Sequence, residues 1–238
     1  MSASRIFRSI DARDEEHWIS VADLMAGLMV IFLFIAITYI RDIRNERDTM
    51  RQIAVTWQED EEALYDALNQ EFMDDLTRWD ATLDREKLSI QFREPDILFD
   101  RGLTTIKPQF KTILADFFPR YLNILSEFKE KIEEVRIEGH TSSTWRAEAT
   151  LDQAYFGNMT LSQGRTRAVL EYSLTLPKST PYKTWAKRYI TANGLSSSQI
   201  ILNEAGIEDK DRSRRVEFRV VTRAKDQMVR ILKESGVK

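Results

Sequence analysis

HWISVADLMAGLMVIFLFIAITYIR, residues 17–41, is an apolar run with a single carboxylate near its start. From Ile19 to Ile40 the only strongly polar side chain is Asp23, with Ser20 and Thr38 as mild company. A helix of this length rises about 33 Å, enough to cross the hydrocarbon core of a bilayer. At the middle of a lipid-exposed helix a carboxylate costs about 2.5–3.5 kcal/mol, and less near the interface, so an acid kept here points to a function. Two placements of it stay open. If the span begins at Leu24, Asp23 sits among the headgroups as a helix-start carboxylate favoured by the dipole. If Trp18 is the interfacial anchor, Asp23 lies about 7 Å further in and needs a protein or water-lined neighbour. Helical geometry places Ser20, Asp23 and Gly27 on one narrow face through which a partner helix can approach. Leu24, Leu28, Ile31, Phe32 and Ile35 occupy the other sides, as lipid contact requires.

The rest of the 238 residues divides by pattern. An N-terminal tail over 1–17 and a span over 18–40 precede a helical linker over 41–86, a soluble domain over 87–223 and a tail helix over 224–238. A net charge of −3 with 42% hydrophobic residues offers no basic surface, so no direct nucleic-acid contact is expected. The absence of cysteine excludes a disulfide scaffold and thiolate metal sites. Charge does not orient the span, because Arg5, Arg8 and Arg13 compete with acidic neighbours while Arg41, Arg44, Arg47 and Arg51 crowd the other end. A signal peptide is the rival reading of the run, but Thr38-Tyr39-Ile40-Arg41 is no small-residue cleavage site, and an uncleaved anchor is expected.

Between Arg41 and Arg85 there is neither proline nor glycine, and Ile43, Met50, Trp57 and Leu64 recur seven apart. The stripe then shifts to Leu68, Phe72, Leu76, Trp79 and Leu83, as a stutter in a coiled coil would. One reading is a coiled-coil-like rod of about 65 Å pairing two chains in parallel. The other is a pair of amphipathic helices folded on the soluble domain.

From Leu88 the pattern alternates through Ile90 and Phe92 as a strand. Pro108 opens a helix carrying Phe110, Ile113, Leu114, Phe117, Phe118, Leu122 and Leu125. A strand through Glu134–Glu138 reaches Gly139, followed by a loop from Thr141 to about Ala149 and a helix through Leu161, Ala168, Val169 and Leu174. A further helix from Trp185 to Ala192 is closed by Gly194, and strands follow at Ile200–Leu202 and Val216–Val221. The order argues an α+β fold, a sandwich of helices on one face of a sheet.

Two sets of residues resemble known families. Trp18, Ala22-Asp23-Leu24-Met25, Gly27 and Phe32 resemble the membrane segment of MotB-type stator subunits, whose aspartate binds the proton. That resemblance implies Asp23 as the proton-binding and translocating residue, supported by Ser20 and Gly27. It also implies a cytoplasmic N-terminus, a periplasmic C-terminal domain and a single pass through the bacterial inner membrane. The implied partners are a second copy of the chain, forming a homodimer, and a pentameric multi-span subunit of the MotA or ZorA type. No cofactor is implied; protons are the coupling ion.

Gly139-His140-Thr141, then Asn158, Leu161-Ser162 and Arg165, and finally Arg214-Arg215-Val216-Glu217, are similar to the OmpA-like peptidoglycan-binding domain, in that family's order. The resemblance implies a groove for the wall stem peptide lined by Thr141, Ser142, Asn158, Leu161, Arg165 and Arg214, with Arg165 pairing a carboxylate. Two positions depart from the family. An aspartate that receives the ammonium of diaminopimelate is here Ser142, a hydroxyl without charge, so either affinity for that ammonium falls or Glu148 serves in its place, and the asparagine before the paired arginines is Ser213; weak binding of wall peptide is therefore expected. Alternatively, Arg165 and Arg215 are ion pairs holding the helix to the last strand.

The short N-terminal tail, the Leu24-Met25-Ala26-Gly27-Leu28-Met29 variant and the proline-free connector resemble the ZorB branch of these stators, from Zorya anti-phage systems, more than flagellar stators. A flagellar stator and a passive wall tether remain the alternatives. His140 is expected as a strand-end side chain with a local hydrogen bond, since His17 lies beyond the span and no histidine pair can hold a metal. No phosphate loop, nucleophile elbow or cysteine nucleophile is present, so enzymatic chemistry is not expected.

Overall fold

A run with no proline and only Gly27 between Ser4 and Leu76 leaves the backbone nothing to interrupt helical hydrogen bonding. The computed structural model describes residues 4–93 and 98–223, and within the first helix the side chains of residues 4–17, 19, 20, 53, 56 and 57 fall outside that description. The helix, α1, covers Ser4–Leu76. The chain divides into two units, Met1–Val55 and Thr56–Arg230, and α1 contributes to both.

In the first unit, the helical stretch Val21–Gln52 contains a window of mean hydropathy 2.4, none of it buried. Leu24, Phe32 and Phe34 are 74%, 63% and 69% exposed. By length and composition this helix can cross a membrane.

The second unit opens with the end of α1, where Leu64, Leu68 and Phe72, four apart on one face, are buried in the core. Phe72 and Trp79 pack on Phe117 with ring centroids 5.2 and 6.0 Å apart. Arg120 lies over the Phe72 ring and donates to Glu71 Oε1 at 2.6 Å and Asp75 Oδ2 at 2.8 Å. The expectation of a helical linker to residue 86 is therefore corrected. α1 stops at Leu76, Asp80 adopts φ 49°, and the chain turns into β1 (Ala81–Asp84), paired antiparallel with β2 (Ser89–Arg93). The shift in the apolar stripe marks where α1 joins the domain core, which the domain boundary at 87 left out.

After β2 come α2 (Pro108–Glu127), β3 (Ile132–His140), α3 (Leu151–Thr175), a 3-10 turn (Pro177–Tyr182), α4 (Lys183–Tyr189), β4 (Ile190–Gly194), α5 (Lys210–Ser213) and β5 (Arg215–Thr222). The sheet order is β1-β2-β5-β3-β4, parallel only between β3 and β4. Alternation sorts the two faces. Ile90, Phe92, Val135, Ile137, Val216, Phe218 and Val220 point to the core with the apolar stripe of α2. Ser89, Glu138, His140, Arg215 and Glu217 occupy the other face.

Two further expectations fail for non-local reasons. The helix expected over Trp185–Ala192 stops at Tyr189, and Ile190–Gly194 instead pairs with Val135–Gly139 of β3. Gly194 is no helix cap. A Cβ there would lie 2.2 Å from the Gln163 backbone nitrogen, so it is glycine because α3 crosses the strand end too closely for any side chain. The strand expected at Ile200–Leu202 reduces to one bridge, Leu202 to Glu208, across a turn in which Asn203 Oδ1 accepts from the backbone N–H groups of Ala205 and Ile207. The tail helix expected over 224–238 lies outside the described residues.

Candidate functional site

The end of β3 is held tightly. A Cβ on Gly139 would lie 2.7 Å from Thr166 Cγ2 of α3, which is the physical need for glycine in Gly139-His140-Thr141. Thr141 N–H donates to Ser196 O at 2.9 Å, and Ser196 N–H donates to Ser162 Oγ at 3.1 Å, tying the loop to α3. The other end of the loop is set by a capping box: Gln153 N–H donates to Thr150 Oγ1 at 3.2 Å while Thr150 N–H donates to Gln153 Oε1 at 3.0 Å.

Between this loop, the turn before α2, the face of α3 and α5 lies a cleft of about 600 Å³. Thr141, Ser142, Asn158, Leu161, Arg165 and Arg214 all line it, so the structure brings together the six residues singled out from sequence. Their roles differ from simple ligand contacts. Asn158 is buried and its amide donates to Ser142 O at 3.1 Å and Thr144 O at 3.3 Å, so it shapes the loop. Arg165 is also buried, its Nε donating to Leu103 O at 2.9 Å and its Nη2 to Asp100 O at 3.1 Å, with the guanidinium 4.8 Å from the Phe99 ring centroid. Arg214 pairs with Asp211.

Glu148, the alternative carboxylate of the loop, is exposed and lines an adjoining depression with Ala147 and Gln153, which shares Trp145 and Arg146 with the cleft. Sequence reasoning missed Trp145, Arg101, Lys107, Arg146 and Lys210, which also line the cleft, with Phe99, Gly102 and Thr144. Trp145 had a signal: a Cβ on Gly157 would meet its ring at 2.6 Å, so the mid-helix glycine is the seat for the indole.

Behind the cleft, on the polar face of the sheet, lies a buried cluster. Arg215 Nε donates to Glu217 Oε1 at 2.5 Å and Ser89 Oγ donates to Glu217 Oε2 at 3.3 Å. His140 Nε2 stands 3.5 Å from Glu217 Oε1 and 3.8 Å from Glu138 Oε2. The local hydrogen bond expected for His140 is absent, for neither ring nitrogen has a hydrogen-bond partner among the described residues. Burial pushes its pKa below the ordinary histidine value. Burial works to raise that of Glu138, but His140, Arg219 and Arg136 outweigh it and hold the carboxyl below its ordinary value. Among the described residues Arg215 pairs with Glu217 of its own strand, and Arg165 donates to loop carbonyls.

Glu138, His140 and Glu217 could also be ligands, their donor atoms lying within 4.8 Å of one another. The set fits a cation poorly, because Arg215 already occupies Glu217 and Arg219 approaches Glu138 to 4.0 Å.

In the N-terminal unit, Asp23 is exposed on α1 and makes no hydrogen bond or ion pair among the described residues, and a Cβ on Gly27, one turn on, would have nothing within 4 Å. The side chain of Ser20 lies outside the described residues.

No family model matches the chain. It is 48% identical over 222 residues to the Zorya protein ZorB of Escherichia coli, covering 93% of this chain and 94% of that one. Among solved structures it is similar to a MotB-like protein from Desulfovibrio vulgaris, 20% identical, covering 73% of this chain and 99% of that chain with a TM-score of 0.47. The cell wall anchor of the T6SS from Pseudomonas aeruginosa is 24% identical, covering 65% of this chain and 96% of that chain with a TM-score of 0.44. The periplasmic domain of Helicobacter pylori MotB is 13% identical, covering 63% of this chain and 87% of that chain with a TM-score of 0.42.

Proposed function

The chain belongs to the ZorB family, and from that premise we propose that it is the wall-anchored stator subunit of a proton-driven inner-membrane motor serving anti-phage defence. The observation that carries this reading is 48% identity over nearly the whole chain to a Zorya protein, joined to a carboxylate on an apolar helix. α1 crosses the membrane once with its N-terminus in the cytoplasm, and the second unit lies in the periplasm. Two copies of the chain sit inside a ring of five multi-span subunits of the ZorA type, with the cleft holding wall peptide so that the pair stays still.

Asp23 is the proton site. Ionised, it is expensive against apolar neighbours and needs a polar contact; protonated, it loses most of that cost. Because the two forms favour different contacts, occupancy by a proton from one side and release to the other shifts the ring between positions. Ser20 and Gly27 keep that face of the helix small enough for a partner to reach the carboxylate. The energy comes from the ion gradient, and the chain acts as an anchor, not an enzyme.

Phage plating on cells carrying Asp23→Asn beside Arg165→Ala tests this. Asparagine keeps the shape of the carboxylate but cannot ionise, so protection should vanish. Arg165→Ala should also abolish it by unseating the wall. Full protection with Asp23→Asn would make the chain a passive tether. Full protection with both would remove motor and anchor together.

A further inference from the structure

The depression that adjoins the cleft has a volume of about 560 Å³ and is lined by Trp145, Arg146, Ala147, Glu148, Ala149 and Gln153. Trp145 and Arg146 line both spaces, so the indole stands as a partition between them. That ring is half-buried and its seat is fixed by the absence of a side chain at Gly157, where a Cβ would come within 2.6 Å of it. A flat apolar face held in place in this way binds a ligand at little cost in side-chain entropy.

Hydrogen-bonding groups of both kinds surround the ring. Gln153 Oε1 accepts from the Thr150 N–H, which leaves the amide nitrogen of Gln153 to donate. Arg146 and Glu148 are exposed, and neither side chain makes a hydrogen bond or ion pair among the described residues, so a guanidinium donor and a carboxylate acceptor stand open to a ligand. Phe156, three residues on from Gln153 along α3 and 66% exposed, places a second aromatic ring next to it on the helix surface.

An apolar face rimmed by donors and acceptors is the complement of a pyranose ring, whose faces are C–H and whose edge carries hydroxyl and, in an N-acetylated sugar, amide groups. A small anion would meet Glu148 beside Arg146, and an aliphatic chain would leave the polar rim unpaired. The partition sets a further condition. One ligand that fills both spaces has to branch at Trp145, with a peptide on one side and a ring on the other.

Resting on the wall-binding reading above, we infer that the depression is a sugar subsite, which seats an N-acetylated amino-sugar ring of the wall glycan on Trp145 while the stem peptide attached to that glycan lies in the cleft. The two contacts then belong to one covalent ligand, and the second forms at the local concentration that the link sets.

The test uses the full-length protein in lipid nanodiscs and two probes. One is the tetrapeptide L-Ala-γ-D-Glu-meso-diaminopimelate-D-Ala with an acetyl cap on its N-terminus, and the other is the same tetrapeptide joined to its N-acetylglucosaminyl-N-acetylmuramyl disaccharide. The disaccharide peptide should bind about tenfold or more tightly than the capped peptide. The ratio of the two affinities is read in each variant, so that a loss shared by both probes cancels. Trp145→Ala should bring the ratio close to one, Trp145→Phe should retain most of it, and Glu148→Ala, a change at an exposed position, should lower it about threefold or more. Equal binding of the two probes to the wild type, or a ratio left unchanged by both Trp145→Ala and Glu148→Ala, overturns the inference while the wall-binding reading stands. If neither probe binds the folded protein, the wall-binding reading fails and the inference with it.

Discussion

Two stretches of α1 have the same backbone and opposite fates. Over Val21–Ile40 nearly every side chain is apolar and exposed, with Ile31 and Leu33 at 59% and 62%. Over Leu64–Leu76 the apolar residues are sparser, yet Leu64, Leu68 and Phe72 are buried to 1% or less. Total hydrophobicity does not decide burial within a chain; spacing does. Leu64, Leu68 and Phe72 make a stripe that one core can absorb, with Glu71 and Asp75 beside it for Arg120. An all-round apolar surface has no polar side to give to water, and its solvent has to be lipid or another helix.

The sharpest way to break that contrast is a pair of truncations. Phe72→Ala should cost the C-terminal unit about 3–5 kcal/mol, seen as a lower denaturation midpoint, whereas Phe32→Ala should leave that transition where it is. Equal losses would mean the two stretches are not energetically distinct. Next in size is the pair Gly194→Ala and Gly27→Ala. The first forces a methyl to within 2.2 Å of a backbone nitrogen and should cost about 1–3 kcal/mol; the second meets open space and should leave the midpoint alone. Thr150→Ala, which removes one half of the capping box, should cost about 1 kcal/mol, read by the same denaturation.

The smallest effect is a pH dependence. Because the folded unit holds His140 below its ordinary pKa of 6.5, it favours the neutral ring, and the unfolded chain takes up the proton first as acid is added. This contribution is complete above 6.5 and fades as the pH falls below it. Glu138, also held below its ordinary value of 4.5, adds stability above that value that is lost on further acidification. The midpoint should therefore fall between about pH 7 and pH 5, and His140→Gln should flatten that fall. An unchanged slope would remove His140 as its source.

Legibility in the sequence follows the range of the forces. α2 could be read from Pro108 and its apolar spacing, and β5 from alternation, since both patterns are local. Residues 81–84 gave no strand signal, because their state comes from pairing with β2 after the chain reverses at Asp80. The boundary between α4 and β4 was misplaced for the same kind of reason: Ile190 and Ala192 suit either state, and only pairing with β3 decides.

At the cleft, the residues in motif order were legible one by one, and the structure sets them around one space. Its charge was not legible. Arg101 and Arg146 come from two loops and Lys210 from the start of α5, each unremarkable alone, and only the fold collects them. Nor could the sequence foretell that Asn158 and Arg165 would be spent on loop carbonyls.

The central claim is that Asp23 carries protons. Proteoliposomes holding this chain with its multi-span partner, loaded with a pH-sensitive dye and placed under a membrane potential, measure that directly. Wild type should acidify or alkalinise the lumen as the potential dictates, and Asp23→Asn should show no flux above empty vesicles at the same protein content. Flux through Asp23→Asn equal to wild type would contradict the account.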